Sequence, residues 1–298
     1  MVNYKRWMNE VDENTSIGKL SIPGTHNSAA CHVALPSVQC QGESITEQLE
    51  HGVRFLDIRC GKLFLKEGDE AKDLQVIHGK FPVKIPFPKK LKDALEEVYD
   101  FLDENKSETV IVSLKQEGTD DWNNDQDEFA NCIWDNYVNP NKDKWYLDDN
   151  VPNLRDAKGK AILFRRFGVK SDKYKGHFGF AAASWKYNTT HDDHDKFAVQ
   201  DFCELDNVEA IDKKAEYVKN FINDAKSYNS SNNDPKLFIN FSSGANFFNT
   251  DCWPEKVADK MASVQIDRDF GKGNGIVVLD YVEKDNWKLV KKLVDQNF

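Results

Sequence analysis

Short apolar, β-branched runs recur along this chain, separated by charged stretches of helical or irregular pattern. They predict strands at Lys19–Ile22, Val53–Cys60, Leu74–His78, Thr109–Lys115, Ala161–Phe167, Phe197–Phe202, Leu237–Phe241 and Ile276–Val282. Between them, Leu91, Leu95, Val98 and Leu102 recur at helical spacing and predict a helix ending near Asn105. Val208, Ile211, Ala215, Val218 and Phe221 mark a second helix beginning after Asp206. The stretch from Gly118 to Asn150, rich in Asp, Asn and Trp, predicts a long decorated connection. Eight strand segments, several followed by helices, favour a closed β/α barrel over an open sheet. No internal repeat and no long linker divides the chain, so one domain over residues 1–298 is expected.

Composition narrows the partners. The chain is 40% hydrophobic and 12% aromatic, too rich in core-forming residues for disorder. Its net charge of −10 argues against nucleic acid as the main partner and against strong adhesion to anionic membranes. No apolar run approaches the roughly 20 residues of a membrane span. The first residues carry no signal-like segment, which fits a cytosolic protein or a processed one. The six cysteines are an even set without CxxC or zinc-type spacing, open to disulfides or to buried free thiols.

Polar or charged residues sit at the carboxyl ends of nearly all the predicted strands, where barrel enzymes build their sites. Ser21-Ile22-Pro23-Gly24-Thr25-His26-Asn27-Ser28 places His26 on a turn, with Pro23 fixing φ and Gly24 permitting positive φ. Asp57 and Arg59 lie two apart, on one face of a strand. The following strands end in His78-Gly79, Lys115, Arg165-Arg166, Asp201, Ser242-Ser243-Gly244 and Asp280-Tyr281. Two histidines, several cations and several acids around one circuit describe a proton-transfer site for an anionic substrate.

Those segments, with Phe55-Leu56-Asp57-Ile58-Arg59, Val112-Ser113-Leu114-Lys115 and Val199-Gln200-Asp201, resemble in order the bacterial-type phosphatidylinositol-specific phospholipase C family. This is a branch of the phospholipase C X-domain superfamily. The resemblance covers roughly residues 15–285. It implies an α/β fold with a single distorted, partly open TIM-type β/α barrel, and a lyase that releases diacylglycerol and inositol 1,2-cyclic phosphate from phosphatidylinositol. Glycosyl-phosphatidylinositol anchors are a further substrate that the family implies. His26 is then the general base, Asp280 its orienting partner, His78 the general acid and Arg59 the phosphate clamp, with Asp57 orienting the guanidinium. Lys115, Arg166 and Asp201 match family positions that contact inositol hydroxyls, and Arg165 can exchange roles with Arg166.

Two positions depart from the family pattern. Asn27 stands where well-studied members carry an aspartate that assists the acid; it can still hydrogen-bond His78 or Arg59 but adds no charge. Cys203 stands where the family has a ring-stacking tyrosine, leaving Tyr281 or Trp185 to supply an aromatic face. Calcium-dependent relatives carry an acid at the position of Arg59, so no cofactor and no metal are expected. His191-Asp192-Asp193-His194-Asp195 reads as a solvated loop rather than a metal cluster. Ala34–Val38 and the Phe247-Phe248 to Trp253 segment are expected at the rim, touching a membrane surface peripherally. A secreted monomer that recognises the phosphatidylinositol head group completes the expectation. Two alternatives remain: a metal-dependent phosphodiesterase on the same barrel, which would need carboxylates clustered near His26, and a non-catalytic lipid or sugar-phosphate binding module.

Overall fold

Strands rich in Val, Ile, Leu and Phe on both faces need cover on both sides. A computed structural model, which describes residues 2–32, 34–63 and 73–298, gives them that cover. The strands in chain order are β1 (Ser21–Thr25), β2 (Phe55–Lys62), β3 (Leu74–His78), β4 (Phe81–Pro82), β5 (Val110–Gln116) and β6 (Trp145–Tyr146). They continue as β7 (Ala161–Arg166), β8 (Phe180–Ala181), β9 (Thr189–Asp193), β10 (Phe197–Asp201), β11 (Leu237–Phe241) and β12 (Gly275–Leu279). The sheet runs β6-β7-β5-β2-β1-β12-β11-β10-β9. Neighbours along this path are parallel except β9, which returns antiparallel along β10.

The sheet curls so that one face looks inward. Ile22, Phe55, Ile111, Phe164, Val199 and Phe241 belong to an inner apolar cluster closed below by Trp7 and Leu154. The alternate residues Leu56, Val112, Leu163 and Val277 join an outer cluster with the helices. These include Leu91–Glu104 and Val208–Ser231, where the sequence placed its two helices. No helix among the described residues is long and apolar enough to cross a membrane.

Among the described residues no ladder joins β7 or β8 to β10, so the barrel is partly open, as the family resemblance implies, and not closed as the strand count alone favours. Phe197 fills that gap with side chains, its ring 6.2 Å from Phe164 and 6.0 Å from Phe180. The third predicted strand is also no barrel stave, since β3 runs antiparallel to β2 and leads into the short β4.

Candidate active site

Side chains alternate across a strand, so each inner face can be read two residues at a time. Phe55 leads to Asp57 and Arg59, Ile111 to Ser113 and Lys115, and Ile162 to Phe164 and Arg166. The parallel register aligns Arg59 with Lys115 and Lys115 with Arg166. The same step gives Asp201 after Val199, Ser243 after Phe241, Asp280 after Val278 and His26 after Gly24. The site is therefore the top layer of the inner face, with apolar packing directly beneath it. Alternation also separates the paired arginines: Arg166 turns in, while Arg165 donates outside to the Phe178 and Phe167 carbonyls.

The histidine turn lies one step later than the sequence suggested. β1 continues through Pro23 and Gly24 to Thr25, and the left-handed residue is Asn27, with φ 41°. Gly24 serves packing instead, since a Cβ there would sit 3.0 Å from the Phe55 ring. His26 Nδ1 lies 2.8 Å from Asp280 Oδ1. A carboxylate only accepts, so Nδ1 carries the proton and Nε2 presents its lone pair. Asn27 Nδ2 approaches that Nε2 at 3.1 Å, so the amide serves His26 rather than His78 or Arg59. Burial pushes the Asp280 carboxyl above its usual range, while His26 and Arg59 draw it back.

His78 ends β3 and meets His26 edge-on, ring centroids 5.8 Å apart at 87°. Its Nδ1 donates to the Val38 carbonyl at 2.8 Å, leaving Nε2 for proton exchange. Val38 itself is buried, so the segment expected at the rim exposes Leu35 but ends inside. Burial lowers the His78 pKa to about 4.

Arg59 is held from two sides. Its Nε and Nη2 meet Asp57 Oδ2 at 3.1 and 2.9 Å, and its Nη1 meets Glu117 at 3.3 Å. The remaining N–H groups of the fork are left for an anion. Burial favours a neutral Asp57, but Arg59, Arg166 and His26 outweigh it and hold the carboxyl well below the usual range. Burial lowers Arg166 to about 10 despite Asp57, and its guanidinium lies over the Trp185 ring at 3.6 Å. Trp185 in turn donates to Asp201 at 3.1 Å.

These groups border a cavity of about 630 Å³ whose walls include His26, Arg59, His78, Lys115, Arg166 and Asp201. Asp57, Asn27 and Asp280 stand behind them as supports. Tyr281 lies elsewhere: at φ 47° it turns from the strand line, and its hydroxyl donates to the Gln39 carbonyl. Trp185 and the exposed Tyr187 are the aromatic residues of the cavity wall. Sequence reasoning missed Glu117, which accepts from Lys115 Nζ at 2.6 Å and from the Gly79 amide at 2.5 Å besides meeting Arg59. Its signal was the two-residue step beyond Lys115. His191–Asp193 form most of β9 rather than a loop. There Asp192 accepts from the Lys186 amide and His194, and Asp193 from Lys236. All six cysteines are free.

A half-open β/α barrel with two facing histidines, one backed by a carboxylate, and a row of cations defines an acid–base site for an anionic ester. The family model for the phosphatidylinositol-specific phospholipase C X domain matches residues 20–167. The chain is 27% identical to the 1-phosphatidylinositol phosphodiesterase of Listeria monocytogenes over 98% of its length and 85% of that protein. It is also 27% identical to a Staphylococcus aureus 1-phosphatidylinositol phosphodiesterase, over 83% of its length and 78% of that protein. In fold it is similar to a S. aureus phosphatidylinositol-specific phospholipase C, with TM-score 0.80 at 23% identity over 99% of this chain and 98% of that one. The Listeria monocytogenes structure gives TM-score 0.74 at 24% identity over the full length of both. The chain is thus similar to phosphatidylinositol-specific phospholipases C in sequence and in fold along nearly its whole length.

Proposed function

We propose that this chain cleaves phosphatidylinositol to diacylglycerol and inositol 1,2-cyclic phosphate. The observation that carries the reading is the pair of histidines facing one another beside the Arg59 fork, with Asp280 backing only one of them. His26 Nε2 removes the inositol 2-hydroxyl proton as that oxygen attacks phosphorus. The bond from phosphorus to the glycerol oxygen breaks, and His78 protonates the departing oxygen. Asp280 stabilises the imidazolium formed on His26. Arg59 binds the non-bridging oxygens, whose charge grows in the transition state.

His78 needs its proton at the moment of reaction, and burial works against that charge in the free protein. The substrate phosphate supplies the missing negative neighbour, raising the imidazole pKa as it binds. Proton delivery is thereby coupled to occupancy. Lys115, Arg166, Glu117 and Asp201 hold inositol hydroxyls, and Trp185 supplies the apolar face that neither Cys203 nor Tyr281 provides. The rim carries exposed Leu35, Ile85, Phe87, Phe247 and Phe248, suited to peripheral contact with a bilayer.

³¹P NMR of phosphatidylinositol digestion in EDTA tests this reading. The expected signal is a transient cyclic phosphate. His26→Ala and His78→Ala should each slow its formation on the order of 10²–10⁴-fold while remaining folded. Strict dependence on added calcium, or a variant near wild-type rate, would overturn the assignment. Binding without turnover would point to the non-catalytic alternative.

A further inference from the structure

Cys40 stands behind the two histidines, and the reaction just described has no use for its thiol. It is fully buried, and its sulfur lies 3.7 Å from His78 Nδ1. One nitrogen of His26, the Cys40 sulfur and one nitrogen of His78 all lie within 4.8 Å of one another. We propose that these three side chains form a site for a soft divalent metal of the Zn²⁺ type, and that a metal held there inhibits the protein.

One thiolate and two imidazoles make a donor set that suits Zn²⁺ and its neighbours and that calcium disfavours. His26 and His78 both border the cavity, so the ion has an entry path and its fourth position faces solvent or substrate. Tetrahedral zinc needs bonds of about 2.3 Å to sulfur and about 2.0–2.1 Å to nitrogen. The three donors must therefore draw together from within 4.8 Å, and a bond to His78 Nδ1 gives up its contact with the Val38 carbonyl as the ring proton moves to Nε2. Asp280 already accepts from His26 Nδ1, the carboxylate–imidazole arrangement that orients a metal-binding histidine.

The surroundings are short of donors as well. Asn27 Oδ1 and Asp280 Oδ2 are buried acceptors without a hydrogen-bond partner, a local electron-rich surplus that a cation relieves. Binding forms a metal–sulfur bond and releases the Cys40 proton to solvent, with no redox step. The thiolate and the Asp280 carboxylate together offset the two charges of the ion beside Arg59. Inhibition follows because the metal takes the His26 lone pair that would accept the hydroxyl proton and ties down His78.

Cobalt(II) titration of chelator-treated protein tests the site without any substrate. The expected result is one equivalent bound with a thiolate-to-cobalt charge-transfer band, lost in Cys40→Ser and weakened in His78→Ala. Zinc-edge X-ray absorption on the unaltered chain should show one sulfur and otherwise nitrogen or oxygen neighbours, which guards against a variant that fails to fold. In assays, zinc should inhibit and EDTA restore the rate. Cys40→Ser should need at least about tenfold more zinc for half-inhibition, each variant measured against its own zinc-free rate. Absence of the charge-transfer band at saturating cobalt, or equal zinc sensitivity in Cys40→Ser, would overturn the proposal. The cobalt arm stands even where no phospholipase activity is found, so the two readings can fail separately.

Discussion

Glu117 holds more of the site together than any other single carboxylate on the cavity wall. It bridges Arg59, Lys115 and the Gly79 amide next to His78, joining the proposed phosphate clamp, sugar contact and acid. Burial alone would raise its pKa, but Arg59 and Lys115 outweigh that and lower it to about 2. The sign follows from linkage: the folded state favours the charged form, so the stabilisation is complete above the ordinary value of 4.5 and is lost as pH falls toward 2. Glu117→Gln keeps an acceptor for Gly79 but loses both ion pairs. It should lower kcat/KM about 10–100-fold, from about 1–3 kcal/mol of lost charged hydrogen bonding. Its unfolding midpoint should vary less with pH between about 4.5 and 2 than that of the wild type. Denaturation at several pH values checks the second expectation, and an unaltered acid slope would remove Glu117 from this role.

At the scale of elements, the junction of β2, β3 and the segment after β5 decides where His78 points. Gly61 lies at its centre: a Cβ there would come within 2.7 Å of Asp120 Oδ2 and 2.9 Å of Ile77 Cδ1. Asp120 Oδ2 also caps the Lys62 amide, so it cannot swing away freely. Gly61→Ala should cost about 1–3 kcal/mol of stability, read as a lower Tm. It should also depress kcat more than it raises KM, because His78 moves while Lys115 and Arg166 stay. An unchanged Tm and kcat would show that the junction yields. The same junction marks the limit of sequence reading. The inner-face residues were legible because period-two alternation carries Phe55 to Asp57 to Arg59 whatever the neighbouring strands do. The direction of β3 was not read, since Leu74–His78 has the same apolar pattern as a stave. Only residues 63–73 separate β2 from β3, shorter than the dozen or more that a parallel crossover needs, and that length was the available signal. Tyr281 shows the complementary difficulty. Past the strand ends, local turns decide direction, and the left-handed backbone at Tyr281 is invisible to periodicity.

Across the whole molecule, a net charge of −10 has to be reconciled with a substrate buried in a membrane surface. Long-range attraction to an anionic bilayer is unfavourable at that charge, so the proposed peripheral contact would rest on local apolar anchors. Phe81 stacks on Phe247, centroids 5.9 Å apart, which ties the hairpin after His78 to the loop after β11. That pair carries Phe87, 75% exposed, and Phe248, 94% exposed, on loops that leave the cavity wall. Lys80 and Lys84 lie on the first loop and make no ion pair among the described residues, a local exception to the acidic surface. Burying one phenylalanine contributes about 1.5–3 kcal/mol, so Phe248→Ser should weaken vesicle partition by about tenfold or more. Phe87→Ser with Phe248→Ser should weaken it further, roughly additively, because each anchor enters the bilayer on its own loop. Vesicle cosedimentation reads the partition directly. Cleavage of a water-soluble phosphodiester of inositol separates anchoring from chemistry, because neither phenylalanine touches the histidines. Loss of soluble-substrate activity in the double variant would mean that these rings support the cavity rather than the membrane contact. Unchanged cosedimentation would place the anchor on another part of the rim.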